Sequence, residues 1–263
     1  MLLGLRKGTL IAVVLAAFFL LAVQAFAPYF LRVKLEEGLA EALAPNGPVQ
    51  ATVRAPSALR LLGGTVDRVH AEAEGVFLDG LRVDKLFLEG INVRADVLHF
   101  LRTGELDVKD ADFLEATFHI TEEDIDAYLA AQPYIPGSFT AVVDRDGMTL
   151  AGEVVVLGQR WPVGVTGVFE VAGATRIDFV PSGITVDRLT IPRTLLANFV
   201  EVDDFRIGFD IGVLPLSLQV THIDFEPSRL IVRARSALVR QGASFENGEG
   251  GALGDGGGRR SPL

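Results

Sequence analysis

Apolar and polar side chains alternate along much of this chain, and a period of two fits a β-strand with one buried face far better than a helix. Between Leu106 and Ile120 the even positions Leu106, Val108, Leu114, Ala116, Phe118 and Ile120 are apolar, while Asp107, Lys109, Glu115, Thr117 and His119 occupy odd ones. Asp110 and Asp112 interrupt the run at its middle. Phe205, Ile207, Phe209 and Ile211 alternate in the same manner with Arg206, Gly208 and Asp210, as do Leu230, Val232, Ala234 and Leu238 with Arg229, Arg233 and Arg235. A domain built on sheet follows.

Turn residues separate these runs. Asp146-Gly147 lies between Val142-Val143 and Met148-Thr149-Leu150, and an Asp-Gly pair adopts positive φ at little cost. Pro181-Ser182-Gly183 and Glu226-Pro227-Ser228 are expected to reverse the chain likewise, so the sheet is read as mainly antiparallel. Short helices punctuate it. Thr121 precedes Glu122, Glu123 and Asp124 as an N-cap with acidic residues in the first turn, and Ile125, Tyr128 and Leu129 share one face. Residues 57–62, 96–102 and 193–199 are further helix candidates.

Residues 8–27 carry no charged side chain, a length that crosses a bilayer as helix. Ala25-Phe26-Ala27 has the form of a signal-peptidase site, but the apolar run is longer than a usual signal core and Pro28 would follow the cut. An uncleaved anchor is therefore the favoured reading, with residues 1–7 cytoplasmic, a span over 8–30 and the domain exported from the cytoplasmic membrane. Arg6 and Lys7 are matched by Arg32 and Lys34 beyond the span, so charge alone does not fix this orientation. Leu31 to Leu43 continues as an amphipathic juxtamembrane helix, and Ala44-Pro45-Asn46-Gly47-Pro48 ends it. The β-rich domain then extends over 49–240. Residues 241–263, with eight glycines, bury too little to offset their ordering entropy and are read as a disordered tail.

The net charge is −10, and residues 1–34 hold four basic and no acidic side chains, which leaves 20 basic against 34 acidic in the rest. Such a domain repels nucleic acid at long range. No cysteine is present, so thiol and disulfide chemistry are excluded. His70, His99, His119 and His222 lack the close spacing of a zinc site, and Asp144, Asp146 and Gly147 run into a strand without the distal carboxylate of a calcium loop. No nucleophile elbow or phosphate loop occurs. Catalytic residues, metal and cofactor are accordingly assigned as none.

Val154 to Leu157, Leu86-Phe87-Leu88 and Leu214-Pro215-Leu216-Ser217-Leu218 are apolar on both faces, which implies cover on both sides. Short helices are one candidate cover. A groove for an acyl chain is the other, walled by Leu114, Phe118, Phe205, Phe209, Leu216 and Leu218. Seventeen Phe against three Tyr and one Trp give aromatic surface with few polar handles, which suits either.

Val53-Arg54-Ala55-Pro56-Ser57-Ala58-Leu59, with Gly63-Gly64-Thr65-Val66 after it, resembles the opening of the LmeA-type phospholipid-binding family. Phe118-His119-Ile120-Thr121 followed by Glu122 to Leu129 is similar to that family's strand and Thr-initiated helix, with Asp126 where Asn is frequent. Ile177 to Pro181, Leu189 to Pro192 and Leu214-Pro215-Leu216 resemble its later strands and penultimate hairpin. The resemblance implies an α+β fold in which a long curved antiparallel sheet wraps around short helices. It also implies that the partner is a phospholipid or another acyl-chain lipid at the outer face of a membrane. Two other functions remain open: a structural envelope protein that binds a protein partner, and an envelope hydrolase or transferase, for which Glu153 or Asp187 are unsupported guesses.

Overall fold

The computed structural model describes residues 29–41, 43, 45–55, 60–61, 63–103, 107–132, 139–156, 158–187, 189–192, 207–214 and 216–236. Helix α1 covers residues 29–41. Strand β1 (Val49–Arg54) follows, then the long β2 (Thr65–Leu78) and β3 (Leu81–Ala95), α2 (Val97–Thr103), β4 (Val108–Asp110) and β5 (Phe113–Thr121). Next come α3 (Glu122–Ala130), β6 (Phe139–Asp144), β7 (Gly147–Val156), β8 (Gln159–Val171), β9 (Arg176–Val186) and β10 (Leu189–Pro192). The described chain ends with β11 (Gly208–Asp210), a 3-10 turn at Ile211–Val213, β12 (Leu218–Glu226) and β13 (Arg229–Ser236).

All pairings are antiparallel, as the turns predict, but they make two sheets where one continuous sheet is expected. The first has the order β1-β2-β3-β5-β13-β12 with β4 beside β3; the second has β10-β9-β8-β7-β6 with β11 beside β9. The fold is mostly antiparallel sheet, curled as a half-barrel, with short helices. The 15 residues of β3 span about 50 Å at about 3.3 Å each, so the hairpin it forms with β2 runs far along the molecule. Asp79 and Gly80 close that hairpin at φ +49° and +84°, the two positive values a primed two-residue turn needs.

The break at Asp110–Asp112 is real, since β4 stops there and β5 resumes the alternation. Two expectations need correction. Pro181-Ser182-Gly183 is not a turn: β9 runs straight through it, and Gly183 faces Thr166 while Pro181 faces Gly167. Ser182 is the extra residue of a bulge, where a proline without an amide donor is tolerated, and its hydroxyl donates to the Thr166 carbonyl. The alternation of Phe205 to Ile211 does not make a long strand either, because β11 is three residues long and Ile211 enters the 3-10 turn. There Asp210 Oδ1 accepts from the Gly212 amide at 2.7 Å, a local bond that competes with the ladder.

Thr121 caps α3 as the sequence predicts, in a reciprocal capping box with Asp124. The second sheet meets the first partly through this helix and partly directly, where the Ser228 amide donates to the Val143 carbonyl at 2.9 Å. Glu122 Oε1 accepts from the Val143 amide at 2.7 Å, and Asp126 Oδ1 from the Ala141 amide at 2.6 Å. One turn apart on α3, the two carboxylates satisfy alternate amides of β6, the edge strand of its sheet.

Candidate functional site

The inner face of the first sheet is unusually small along one row. Ala51 faces Ala71, Ala71 faces Leu88, Leu88 faces Ala116 and Ala116 faces Ala234. Alanine side chains leave a trough between the larger residues of the flanking rows, such as Leu86 and Phe118. Helix α1 lies over it. Leu31, Leu35, Leu39 and Leu43, spaced by four, join the same hydrophobic core as the trough residues. Glu36 on α1 fixes the helix to the sheet edge by accepting from the Ala51 amide at 2.9 Å, while Arg32 Nε donates to the same Oε1 at 3.0 Å.

Among the described residues, two narrow cavities lie between helix and sheet. One, of about 30 Å³, lies among Leu39, Leu43, Ala71, Ala116 and Leu214. The other, of about 50 Å³, lies among Leu31, Leu35, Val53, Val69 and Leu114, and its lining carries no polar side chain. Leu88 and Leu216 border both. Each holds roughly the volume of one or two waters, yet an apolar void of this kind stays dry. Leu216 also borders a third, open concavity of about 800 Å³ at the junction of the sheets, with Thr175, Arg176, Asp210 and Leu218 around it. There the Asp210 carboxyl is held below its ordinary range, first by the Thr175 hydroxyl and then by the Gly212 amide.

Of the six apolar residues singled out from the sequence, Leu114 and Leu216 lie at these cavities. Phe118 is completely buried in the first sheet, and Phe209 packs edge-on against Phe169 at 5.9 Å in the second. Leu218 is buried and borders the open concavity; Phe205 lies outside the described residues. Sequence reasoning missed α1 as cover, although its leucine spacing was visible, because nothing local says which surface a helix face meets.

The family model described as LmeA-like phospholipid-binding matches residues 22–235, which takes in α1, both sheets and the cavities between them. The protein belongs to this family. A comparison with the curated proteins and with the solved structures gives no match.

In this LmeA-like chain the acidic cluster of α3 is occupied structurally. Asp124, 1% exposed, joins the capping box and pairs with Arg82, while Glu122 and Asp126 hold β6. His119 packs edge-on against Phe87 at 5.1 Å, and burial, followed by the nearby Arg229 charge, lowers its pKa. His70 faces Glu89 at 3.6 Å, and His222 is exposed on β12. Glu153 pairs with Arg160 at 3.8 Å on the surface, and Asp187 sits in an exposed turn at φ +55°. Among the described residues no group of three or more His, Cys, Asp or Glu stands close enough to hold a metal ion.

Proposed function

We propose that this chain binds phospholipid by taking an acyl chain into the trough beneath α1, and that no chemistry on the lipid is involved. The observation that carries this reading is the pair of apolar cavities that share Leu88 and Leu216 between an alanine-lined sheet and a separate leucine-faced helix. Membership of the LmeA-like phospholipid-binding family supports it.

The cavities are far smaller than the roughly 300–1,000 Å³ of a ligand pocket, so on this reading α1 occupies the lipid's place and withdraws when lipid enters. Magnitudes permit the exchange. Measured from water, exposing four leucines costs roughly 6–12 kcal/mol and burying an acyl chain of about sixteen carbons returns roughly 13 kcal/mol at about 0.8 kcal/mol per methylene. A chain drawn from a bilayer is already out of water and returns little of this, so helix and chain are near-equal competitors for one surface only where the withdrawn leucines keep apolar cover at the bilayer.

Anchorage is part of the proposal. The uncharged run at 8–27 lies outside the described residues, and among those described no helix is long and apolar enough to cross a membrane. The reading places that run in the cytoplasmic membrane, with the domain on the outer side where α1 meets the bilayer surface and lipid reaches the trough.

The test is extraction of the full chain, purified in a mild detergent, followed by mass spectrometry of bound lipid. Stoichiometric phospholipid that falls when Ala116→Leu and Ala71→Leu fill the trough is the expected outcome. A protein that carries no lipid and ignores phosphatidylcholine vesicles overturns the reading.

A further inference from the structure

The outer face of the same sheet carries a second feature. Arg54 on the edge strand β1 stands directly opposite Arg68 on β2. Directly opposed residues on one face have Cβ atoms about 5 Å apart, and like charges at that separation destabilise a sheet. Of the other described arginines, Arg82, Arg94, Arg160, Arg176, Arg233 and Arg235 each have a carboxylate within 4.0 Å, whereas Arg102, Arg145 and Arg229 do not, and none of these three lies opposite a second arginine in a ladder. Arg54 and Arg68 have no carboxylate in that range among the described residues, although acidic side chains outnumber basic ones in the whole protein, 34 to 24. Two exposed guanidiniums that repel each other on an acidic surface need an explanation.

They stand in a concavity of about 480 Å³ whose other lining residues are Thr52, Val69, His70, Glu89, Gly90 and Ile91. Thr52 faces His70 across the ladder one step from the arginine pair. Glu89, the acidic member, lies on the far side against His70. The nearer wall therefore offers two permanently charged forks, a hydroxyl and an imidazole, the donor set that suits a tetrahedral oxyanion.

We propose that Arg54, Arg68, Thr52 and His70 form a phosphate-binding site. The placement joins it to the trough. Val53 and Val69, which border the larger apolar cavity, are the sequence neighbours of Arg54 and Arg68, and strand alternation sends the valines inward and the arginines outward at the open edge of the sheet. An amphiphile passing round β1 lays its hydrocarbon on the inner face and its phosphate on the outer one. The phosphate is that of a lipid headgroup or of a free phosphate ion. The first source rests on the lipid-binding reading and the second does not.

The experiment uses the full chain in detergent and two readouts. The first is titration with inorganic phosphate, followed by the NMR signals of the arginine Nε–H groups. The second is retention of phosphatidic acid against diacylglycerol of identical chains, in the wild type, in Arg54→Gln/Arg68→Gln and in Arg54→Lys/Arg68→Lys. A wild-type preference for phosphatidic acid of about tenfold or more is expected from paired charge-assisted bonds. The Gln variant is expected to lose that preference and keep its diacylglycerol, and the Lys variant to keep part of both. Phosphate-dependent shifts without a preference between the two lipids support the site with free phosphate as its source. Failure of the wild type to retain either lipid sinks the trough and leaves the phosphate titration to judge this site. Arginine signals that ignore phosphate, together with a lipid ratio unchanged in the Gln variant, overturn it.

Discussion

The Tyr128 hydroxyl on α3 donates to the Gly208 carbonyl on β11 at 2.7 Å, a buried bond between residues 80 positions apart. It ties the helix at the end of the first sheet to a strand of the second. Tyr128→Phe leaves that carbonyl without this donor in an apolar interior, and a lost buried bond of this kind costs about 1–3 kcal/mol. Urea unfolding should show a lower midpoint at unchanged slope; an unchanged midpoint shows that the bond contributes nothing net.

Glu122 and Asp126 are expected to act as edge guards as well as first-turn acids. Glu122→Ala/Asp126→Ala frees the Val143 and Ala141 amides of β6, at roughly 1 kcal/mol for each charge-assisted bond lost at this half-buried position. The larger effect should be association through the bared edge. Light scattering at rising protein concentration separates the variant from the wild type, and identical traces would refute the guard role.

Glu36→Gln tests how α1 is held. The amide keeps the shape of the carboxylate and weakens its bond to the Ala51 amide by about 1 kcal/mol, about fivefold in the equilibrium between docked and withdrawn helix. Lipid uptake should quicken and hydrogen exchange at Ala51 should rise. Slower uptake would mean that the helix does not gate the trough.

His119 gives stability a pH dependence. Its folded pKa lies below the ordinary value of 6.5, mainly through burial, so the unfolded chain binds more protons as pH falls through that value. Stability is full above about pH 6.5 and declines below it. The thermal midpoint of His119→Gln should therefore fall less than that of the wild type between about pH 7 and about pH 5; parallel curves would remove His119 as the cause.

What the sequence made legible was local. Alternation identified the strand through Phe118, Asp146-Gly147 marked a hairpin, and Thr121 marked a cap, because each depends on neighbours within a few residues. Pro181-Ser182-Gly183 misled because bulges and turns favour the same residues, and only the partner strand decides between them. The alternation also indicated that Leu114, Phe118 and Phe209 point inward, without indicating that α1 covers the first and that Phe169 meets the last. The opposition of Arg54 and Arg68 was beyond reach for a like reason, since it exists only once the register of β1 on β2 is set.

Leu216 borders the open junction between the sheets and both narrow cavities, whereas Ala71 and Ala116 line only the smaller of the two cavities. Doorway and storage space therefore share Leu216, while Ala71 and Ala116 belong to the storage space alone. If lipid uses this route, bulk added at Ala71 or Ala116 sets which tail lengths fit and leaves the entrance open, whereas bulk added at Leu216 hinders passage as well. Selectivity in this protein can then change at two positions without closing the way in.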